Sequence, residues 1–280
     1  MSLTILDSLS HHCGGANDDR WGCTADAAWV IDGATSLQGT PGLAGPSPAA
    51  WFAEAVQRHL LHLLPQHDRL ETLLPAVGAN VRADFRRDAG RDLGVDEEPP
   101  AASIALLRQT ASGIAALNLG DCVLLYRHRD GGLKRFGSSL VTGFEDKAMA
   151  IMRRMRAAGD STEATSAAVW AQVRDNRSWS NREGGYWVLD LTERWQGREQ
   201  IARLEVAPGS AALLMSDGYY RLVDTYQSYD DEGLLAAVTR RGLAALYDEL
   251  RQIEAGDAET LRYPRIKARD DATAVLLQVA

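Results

Sequence analysis

Ala27-Ala28-Trp29-Val30-Ile31-Asp32-Gly33 is a short apolar run that stops on a carboxylate beside a glycine, and two further segments share its character. Ala211-Ala212-Leu213-Leu214-Met215-Ser216-Asp217-Gly218 ends in the same way, and Asp270-Asp271-Ala272-Thr273-Ala274-Val275-Leu276-Leu277 starts from a pair of carboxylates. Runs this short and this apolar read as buried strands. Their bare acidic ends need a cation, because two carboxylates about 4 Å apart repel by roughly 4 kcal/mol at an effective dielectric near 20. If the fold gathers these ends, a divalent ion is the simplest remedy, and metal-assisted chemistry is the leading expectation.

The rest of the chain bounds what can carry such a site. Its 280 residues, 45% hydrophobic, suffice for one large domain or two small ones with a sizeable core. A net charge of -8, with no block of Lys and Arg longer than two, repels a phosphodiester backbone, so nucleic acid is not an expected partner. No run of 18 apolar residues occurs, so no membrane span is expected. The start Met1-Ser2-Leu3-Thr4-Ile5-Leu6-Asp7 lacks the basic and apolar regions of a secretory signal, and the expected location is cytoplasmic. Cys13, Cys23 and Cys122 are an odd, irregularly spaced set that fits reduced thiols. His11-His12-Cys13 has no second ligand pair at finger-like spacing and reads as a polar strand end.

Outward from Asp32, alternation and β-branched or aromatic content predict strands at 3–12, 27–31, 102–108, 113–119, 123–128, 133–136, 186–190, 202–206, 211–216 and 272–279. Helical spacing places Trp51, Phe52, Ala55, Val56, Leu60, Leu63 and Leu64 on one face behind Ser47 as cap, and Leu70, Leu73, Leu74, Val77, Val81 and Phe85 on another. Further helices are expected at 147–158, 164–175, 231–240 and 243–255. The order is α+β, and two packed antiparallel sheets flanked by helix pairs on both faces satisfy it. The chain is expected to form a single domain over 1–280, with an insertion at about 144–200.

Five motifs then bear on function: Asn17-Asp18-Asp19, Val30-Ile31-Asp32-Gly33, Asn118-Leu119-Gly120-Asp121, Ser216-Asp217-Gly218 and Asp270-Asp271-Ala272-Thr273. Singly each is weak, since Asp-Gly is chiefly a turn signal. In this order and spacing they resemble the motifs of the metal-dependent protein phosphatases of type 2C, as a divergent bacterial-type member. The resemblance implies a β-sandwich flanked by helices, with two Mn²⁺ or Mg²⁺ ions at one end. It also implies hydrolysis of phosphoserine or phosphothreonine in a phosphoprotein or phosphopeptide by a hydroxide bridging those ions. Hard cations that choose carboxylates and backbone oxygens suit these strand ends, and a metal pair serves an in-line displacement.

Carried over residue by residue, the resemblance implies that Asp32 bridges the two metals and that the Gly33 carbonyl faces one of them. It implies Asp217 and Asp270 as ligands of the second metal, with Asp19 acting directly or through water, so that Asp19, Asp32 and Asp217 carry catalysis. Asp271 stands where the family often has Asn and is the less favoured ligand. Asp121 occupies the position of a ligand to a weaker third metal, but the partner acid four residues beyond Asp217 is replaced by Arg221. That arginine disfavours a third ion, takes over charge neutralisation for phosphate, or pairs with Asp224 or a nearby Glu.

Two departures bear on mechanism. Where the family has an upstream Arg that grips phosphate, this chain has His11-His12-Cys13-Gly14-Gly15, and Asp32-Gly33 continues as Ala34-Thr35-Ser36. Arg20, Arg174, Arg177, Arg182, His11 and His12 are the candidate replacements, because a planar fork holds two phosphate oxygens at once. The stretch from Arg174 to Tyr186, rich in Arg, Asn, Trp and Gly, falls where the family carries its substrate-contacting flap. The expected function is a metal-dependent phosphatase of protein phosphoserine or phosphothreonine. The alternatives are a pseudophosphatase that binds without turnover, or a phosphatase of a small phosphorylated metabolite.

Overall fold

The computed structural model describes residues 3–34, 37, 40, 42–137 and 140–280, with only the backbone at 140–142. The strands are β1 (Leu3–His11), β2 (Arg20–Cys23), β3 (Ala27–Ala34), β4 (Ala101–Thr110), β5 (Gly113–Leu119), β6 (Val123–Arg127), β7 (Leu133–Phe136), β8 (Leu189–Asp190), β9 (Gln200–Leu204), β10 (Ser210–Met215) and β11 (Ala272–Val279). The helices are α1 (Pro48–Leu63), α2 (Leu70–Ala89), α3 (Leu140–Ala158), α4 (Thr162–Ser178), α5 (Asp217–Tyr220), α6 (Asp231–Arg241) and α7 (Leu243–Gly256). One sheet runs β1-β11-β10-β6-β7 and the other β2-β3-β4-β5-β9, with β8 on β4. All the ladders between these strands are antiparallel.

The apolar runs are unbroken because both faces of their strands are covered. In β3, Trp29 and Ile31 join the cluster under α1 and α2, while Ala28 and Val30 join the cluster between the sheets. In β10, Leu213 and Met215 face the cluster that holds α6 and α7, and Ala212 and Leu214 face the sandwich interior. Leu276 and Leu277 of β11 divide in the same way. The period of two sorts each strand's side chains between two cores. The result is the helix–sheet–sheet–helix layering expected above.

Local signals set the helix ends. Ser47 accepts a hydrogen bond from the Ala50 N–H at 2.8 Å with Pro48 just inside, and Asp230 caps α6 by accepting from the Gly233 N–H at 2.7 Å. Among the differences between the structure and the sequence expectations are the unexpected short helix α5, the earlier start of α3 at Leu140, and three more. The short strand β2 was not expected, because Arg20-Trp21-Gly22-Cys23 shows no alternation of its own and pairs by register with β3. The strand expected at 186–190 shrinks to Leu189–Asp190. Helix α4 runs on through Ser178, so Arg174 and Arg177 lie on a helix and not in an irregular loop.

Helices α3 and α4 pack on each other through Ala148, Met149, Met152 and Val169, with Ile266 of the 257–267 loop against them. Arg156 of α3 donates to the Thr260 carbonyl at 2.7 Å and to its hydroxyl at 2.9 Å. Asp257 gathers that loop by accepting from the N–H groups of Leu261, Arg262 and Tyr263. Among the described residues no helix is long and apolar enough to cross a membrane, and Cys13, Cys23 and Cys122 are free.

Candidate active site

Strand register brings the acidic ends together. The end of β10 lies beside the start of β11, with Met215 opposite Ala274 and the Ser216 N–H donating to the Thr273 carbonyl at 2.9 Å, so Asp217 and Asp270 flank one edge. In the other sheet Asp32 lies opposite Ser103, and the Ser103 hydroxyl donates to Asp121 at 2.6 Å. The Asp217 N–H points across from one sheet to the other, to Asp32 Oδ2 at 3.3 Å. Asp32, Gly33, Asp121, Asp217 and Asp270 line one cavity of about 640 Å³.

Two glycines make this convergence possible. Gly120 has φ +99°, and a Cβ there would lie 2.1 Å from the Ser103 hydroxyl, so the turn that sets Asp121 over Ser103 excludes other residues. Gly33 lies inside β3, so Asp32-Gly33 is strand and not turn; a Cβ at Gly33 would meet the Asp18 carbonyl oxygen at 2.4 Å. That contact is what lets the Asn17–Asp19 segment sit against Asp32.

The cluster is electrostatically costly. Burial, followed by the charges of Asp19, Asp217, Asp121 and Asp270, drives Asp32 well above the usual carboxylate range. Burial pushes Asp19 up to about 8, against hydrogen bonds from Ser216 and Thr273 and with Asp217 and Asp271 adding to the rise. Asp121 is pushed up to about 6 by burial and Asp217. Asp19 Oδ2 is buried without a hydrogen-bond partner. Mutually repelling carboxylates with an orphaned oxygen are what a hard divalent cation satisfies, and these residues fit one.

Asp270 and Asp271 divide two tasks. The Asp271 carboxylate accepts from the Cys13 N–H at 2.9 Å and the Asp18 N–H at 2.7 Å, so both oxygens tether the β1–β2 connection. Asp270 faces the cavity, where Arg221 lies 2.8 Å and Lys267 3.0 Å from its two oxygens. Burial pushes Asp270 up, but Arg221 and Lys267 outweigh it and hold the carboxyl below its ordinary value. Among the described residues no three His, Cys, Asp or Glu side chains are drawn tightly enough together to clasp one ion as they stand. Asp271→Ala is expected to cost about 2–4 kcal/mol of stability, as one buried and one part-buried N–H group lose a charged acceptor, while divalent-ion stoichiometry by calorimetry stays unchanged. Loss of an ion equivalent would instead make Asp271 a ligand.

The phosphate-grip candidates scatter. Arg20 pairs with Glu54 at 2.8 Å and donates to the Asn17 and Asp19 carbonyls, which turns it into a brace of the β1–β2 loop. His12 is exposed and its Nδ1 accepts from the Gly14 N–H; His11 stacks on Tyr247 at 4.7 Å. Arg182 is exposed and, like Arg174, is not among the cavity-lining residues. Arg177 does line the cavity, paired with Glu98 at 2.7 Å. Arg221 pairs with Asp270 and stands 4.0 Å from Glu254, not with Asp224. Ala34 borders the cavity, and Thr35 and Ser36 lie outside the described residues. Sequence reading missed Lys267; a lysine three residues before Asp270 was its only signal. It missed Ser103 too, which only the β3–β4 register places beside Asp121.

The sequence model of the protein phosphatase 2C family matches residues 10–252. A crystal structure of the Mycobacterium tuberculosis serine/threonine phosphatase PstP/Ppp is similar over 100% of this chain and 99% of that one, at 17% identity and a TM-score of 0.59. The PstP catalytic domain in complex with two manganese ions is similar at 17% identity and a TM-score of 0.57, over 100% and 99% of the two chains. PppA of Pseudomonas aeruginosa, a regulatory component of its type VI secretion system, is similar at 18% identity and a TM-score of 0.52, over 100% of both chains. No curated protein matches the chain in sequence.

Proposed function

The chain belongs to the protein phosphatase 2C family, and from that premise we propose that it hydrolyses phosphoserine and phosphothreonine esters of proteins with two divalent ions held at the acidic end of the sandwich. The observation that carries this reading is the meeting of Asp32, Asp121, Asp217 and Asp270, from both sheets, on one cavity wall. Asp19, Asp32, Asp217 and Asp270, with the Gly33 carbonyl, are the donors that would hold the ions, and Asp121 belongs to a weaker third position. Mn²⁺ and Mg²⁺ both suit such oxygen donors. When bound, such ions lower the pKa of water and neutralise charge on the phosphoryl group.

The protein's own groups do the rest. The Asp217 N–H bonded to Asp32 Oδ2 fixes the orientation of the carboxylate at the sheet junction. The Ser103 hydroxyl holds Asp121 in place. No nucleophilic side chain is needed, and none of the three cysteines lines the cavity. Helices α3 and α4 add Phe144, Met149, Trp170 and Val173 to the lining of the same cavity. Phe144 meets Tyr186 edge-on at 5.3 Å, so this part of the lining offers apolar surface to the part of a substrate beyond its phosphate. We assign the 144–200 segment the role of a flap within one 1–280 domain on this ground.

The test is direct. Purified protein is expected to release phosphate from phosphoserine and phosphothreonine peptides in the presence of Mn²⁺, and EDTA is expected to abolish the release. Absence of release from these peptides and from p-nitrophenyl phosphate across Mn²⁺ and Mg²⁺ concentrations sinks the reading. Preference for small phosphates over peptides shifts the substrate class and leaves the chemistry.

A further inference from the structure

Of the cavity carboxylates, Asp270 is held in a different state from the others. Its two oxygens face cations, Lys267 Nζ at 3.0 Å and Arg221 Nη2 at 2.8 Å. A carboxylate in such contacts cannot offer the same lone pairs to a divalent ion, and a guanidinium and an ammonium at this distance repel that ion directly. Arg221 also has capacity to spare: its Nη1 is buried, has no hydrogen-bond partner and stands 4.0 Å from Glu254. Glu254 is fully buried and takes Arg251 at 2.5 Å, so it anchors the base of this cationic group without satisfying Nη1.

The other cations on the cavity wall are committed or peripheral. Arg177 is paired with Glu98 at 2.7 Å and Arg265 with Asp257 at 2.7 Å, while Arg153 and Arg262 are exposed at the rim. Arg20, Arg182 and His12 do not line the cavity. Arg221 and Lys267 are therefore the cavity cations whose partner is itself a site carboxylate.

Resting on the phosphatase reading, we propose that Arg221 and Lys267 are a resident counter-ion pair for Asp270, which a divalent ion displaces, and that the displaced pair then holds the phosphoryl oxygens of the substrate. One exchange serves two ends. Asp270 is neutralised before the ion arrives, and the phosphate grip becomes available only once it has. A guanidinium with an unpaired donor beside an ammonium suits phosphate, the first by its planar fork and the second as a point charge. This also supplies the grip that the His11–Gly15 stretch lacks.

Calorimetry separates the steps. Wild-type protein is titrated with Mn²⁺, then with inorganic phosphate at saturating Mn²⁺, alongside Arg221→Gln, Arg221→Lys, Lys267→Gln and the exposed control Arg269→Gln. The weaker Mn²⁺ site is expected to tighten by about tenfold in Arg221→Gln and Lys267→Gln, and phosphate binding to weaken by about tenfold in both. Arg221→Lys is expected to keep the weak Mn²⁺ site, and Arg269→Gln to leave both constants as they are. Circular dichroism checks the buried Arg221 variants, and half-exposed Lys267→Gln carries the test if those do not fold. Unchanged or weaker Mn²⁺ binding, or unchanged phosphate binding, in a folded variant overturns the proposal while wild-type Mn²⁺ binding preserves the phosphatase reading. A wild type that binds no Mn²⁺ overturns both.

Discussion

Asp32→Asn is expected to lower Mn²⁺-dependent phosphatase turnover at least about a thousandfold, equivalent to about 4 kcal/mol of transition-state stabilisation, and to make the metal-free protein more stable. The two halves of this result share one cause. Asp32 sits where both sheets meet, and its charge is opposed by burial and by Asp19, Asp217, Asp121 and Asp270. Replacing the carboxylate by a neutral isostere removes that repulsion and keeps an acceptor for the Asp217 N–H. Relief of roughly 1–2 kcal/mol raises the melting temperature by about 2–6 °C for a chain of this size. Added Mn²⁺, which is expected to stabilise the wild type strongly by mass action, should stabilise the variant far less. A variant that melts lower than wild type in EDTA, or that retains turnover, contradicts this account.

The second large effect is on pH. In EDTA the melting temperature is expected to fall as pH rises from about 4 to about 8, the reverse of ordinary acid unfolding. The sign follows from Asp19, pushed up to about 8, and Asp121, pushed up to about 6, both from 3.8. Across that window the folded state keeps protons that the unfolded chain has released, so the stability present at low pH is lost as pH climbs through the folded-state pKa values. Asp19→Asn is expected to flatten the slope, because its amide carries no charge to oppose. Saturating Mn²⁺ is expected to invert it, since the ion binds the deprotonated ligands. Thermal melts at fixed ionic strength, with and without Mn²⁺, read all three; a flat or rising profile in EDTA for the wild type rejects the buried-carboxylate picture.

The layering was legible because apolar runs without alternation can be satisfied only by strands covered on both faces, as Trp29 and Val30 show by entering different cores. Helix ends were legible where a local hydrogen bond decides them, as at Ser47. The strand β2 was not, because Arg20-Trp21-Gly22-Cys23 is held by its neighbour and not by its own pattern. The site divides along the same line. Asp32, Asp217 and Asp270 could be read as acidic strand ends, and Asp19 only from the order of the motifs. The resemblance favoured Asp270 over Asp271 as the ligand, but what holds Asp271 away from the cavity could not be read, because it is two backbone N–H groups from a loop more than 250 residues away.

The amino-acid sequence alone determined the kind of chemistry: carboxylates at the ends of doubly buried strands, ordered as in the type 2C phosphatases. Tertiary structure decided which cations answer them. Arg20 and Arg182, plausible by composition, do not line the cavity, while Arg221 and Lys267 meet at Asp270. The physical reason is range. Burial and strand periodicity are properties of neighbours along the chain, whereas an ion pair depends on distances of a few ångströms between residues that only the folded sheets and the 257–267 loop bring together.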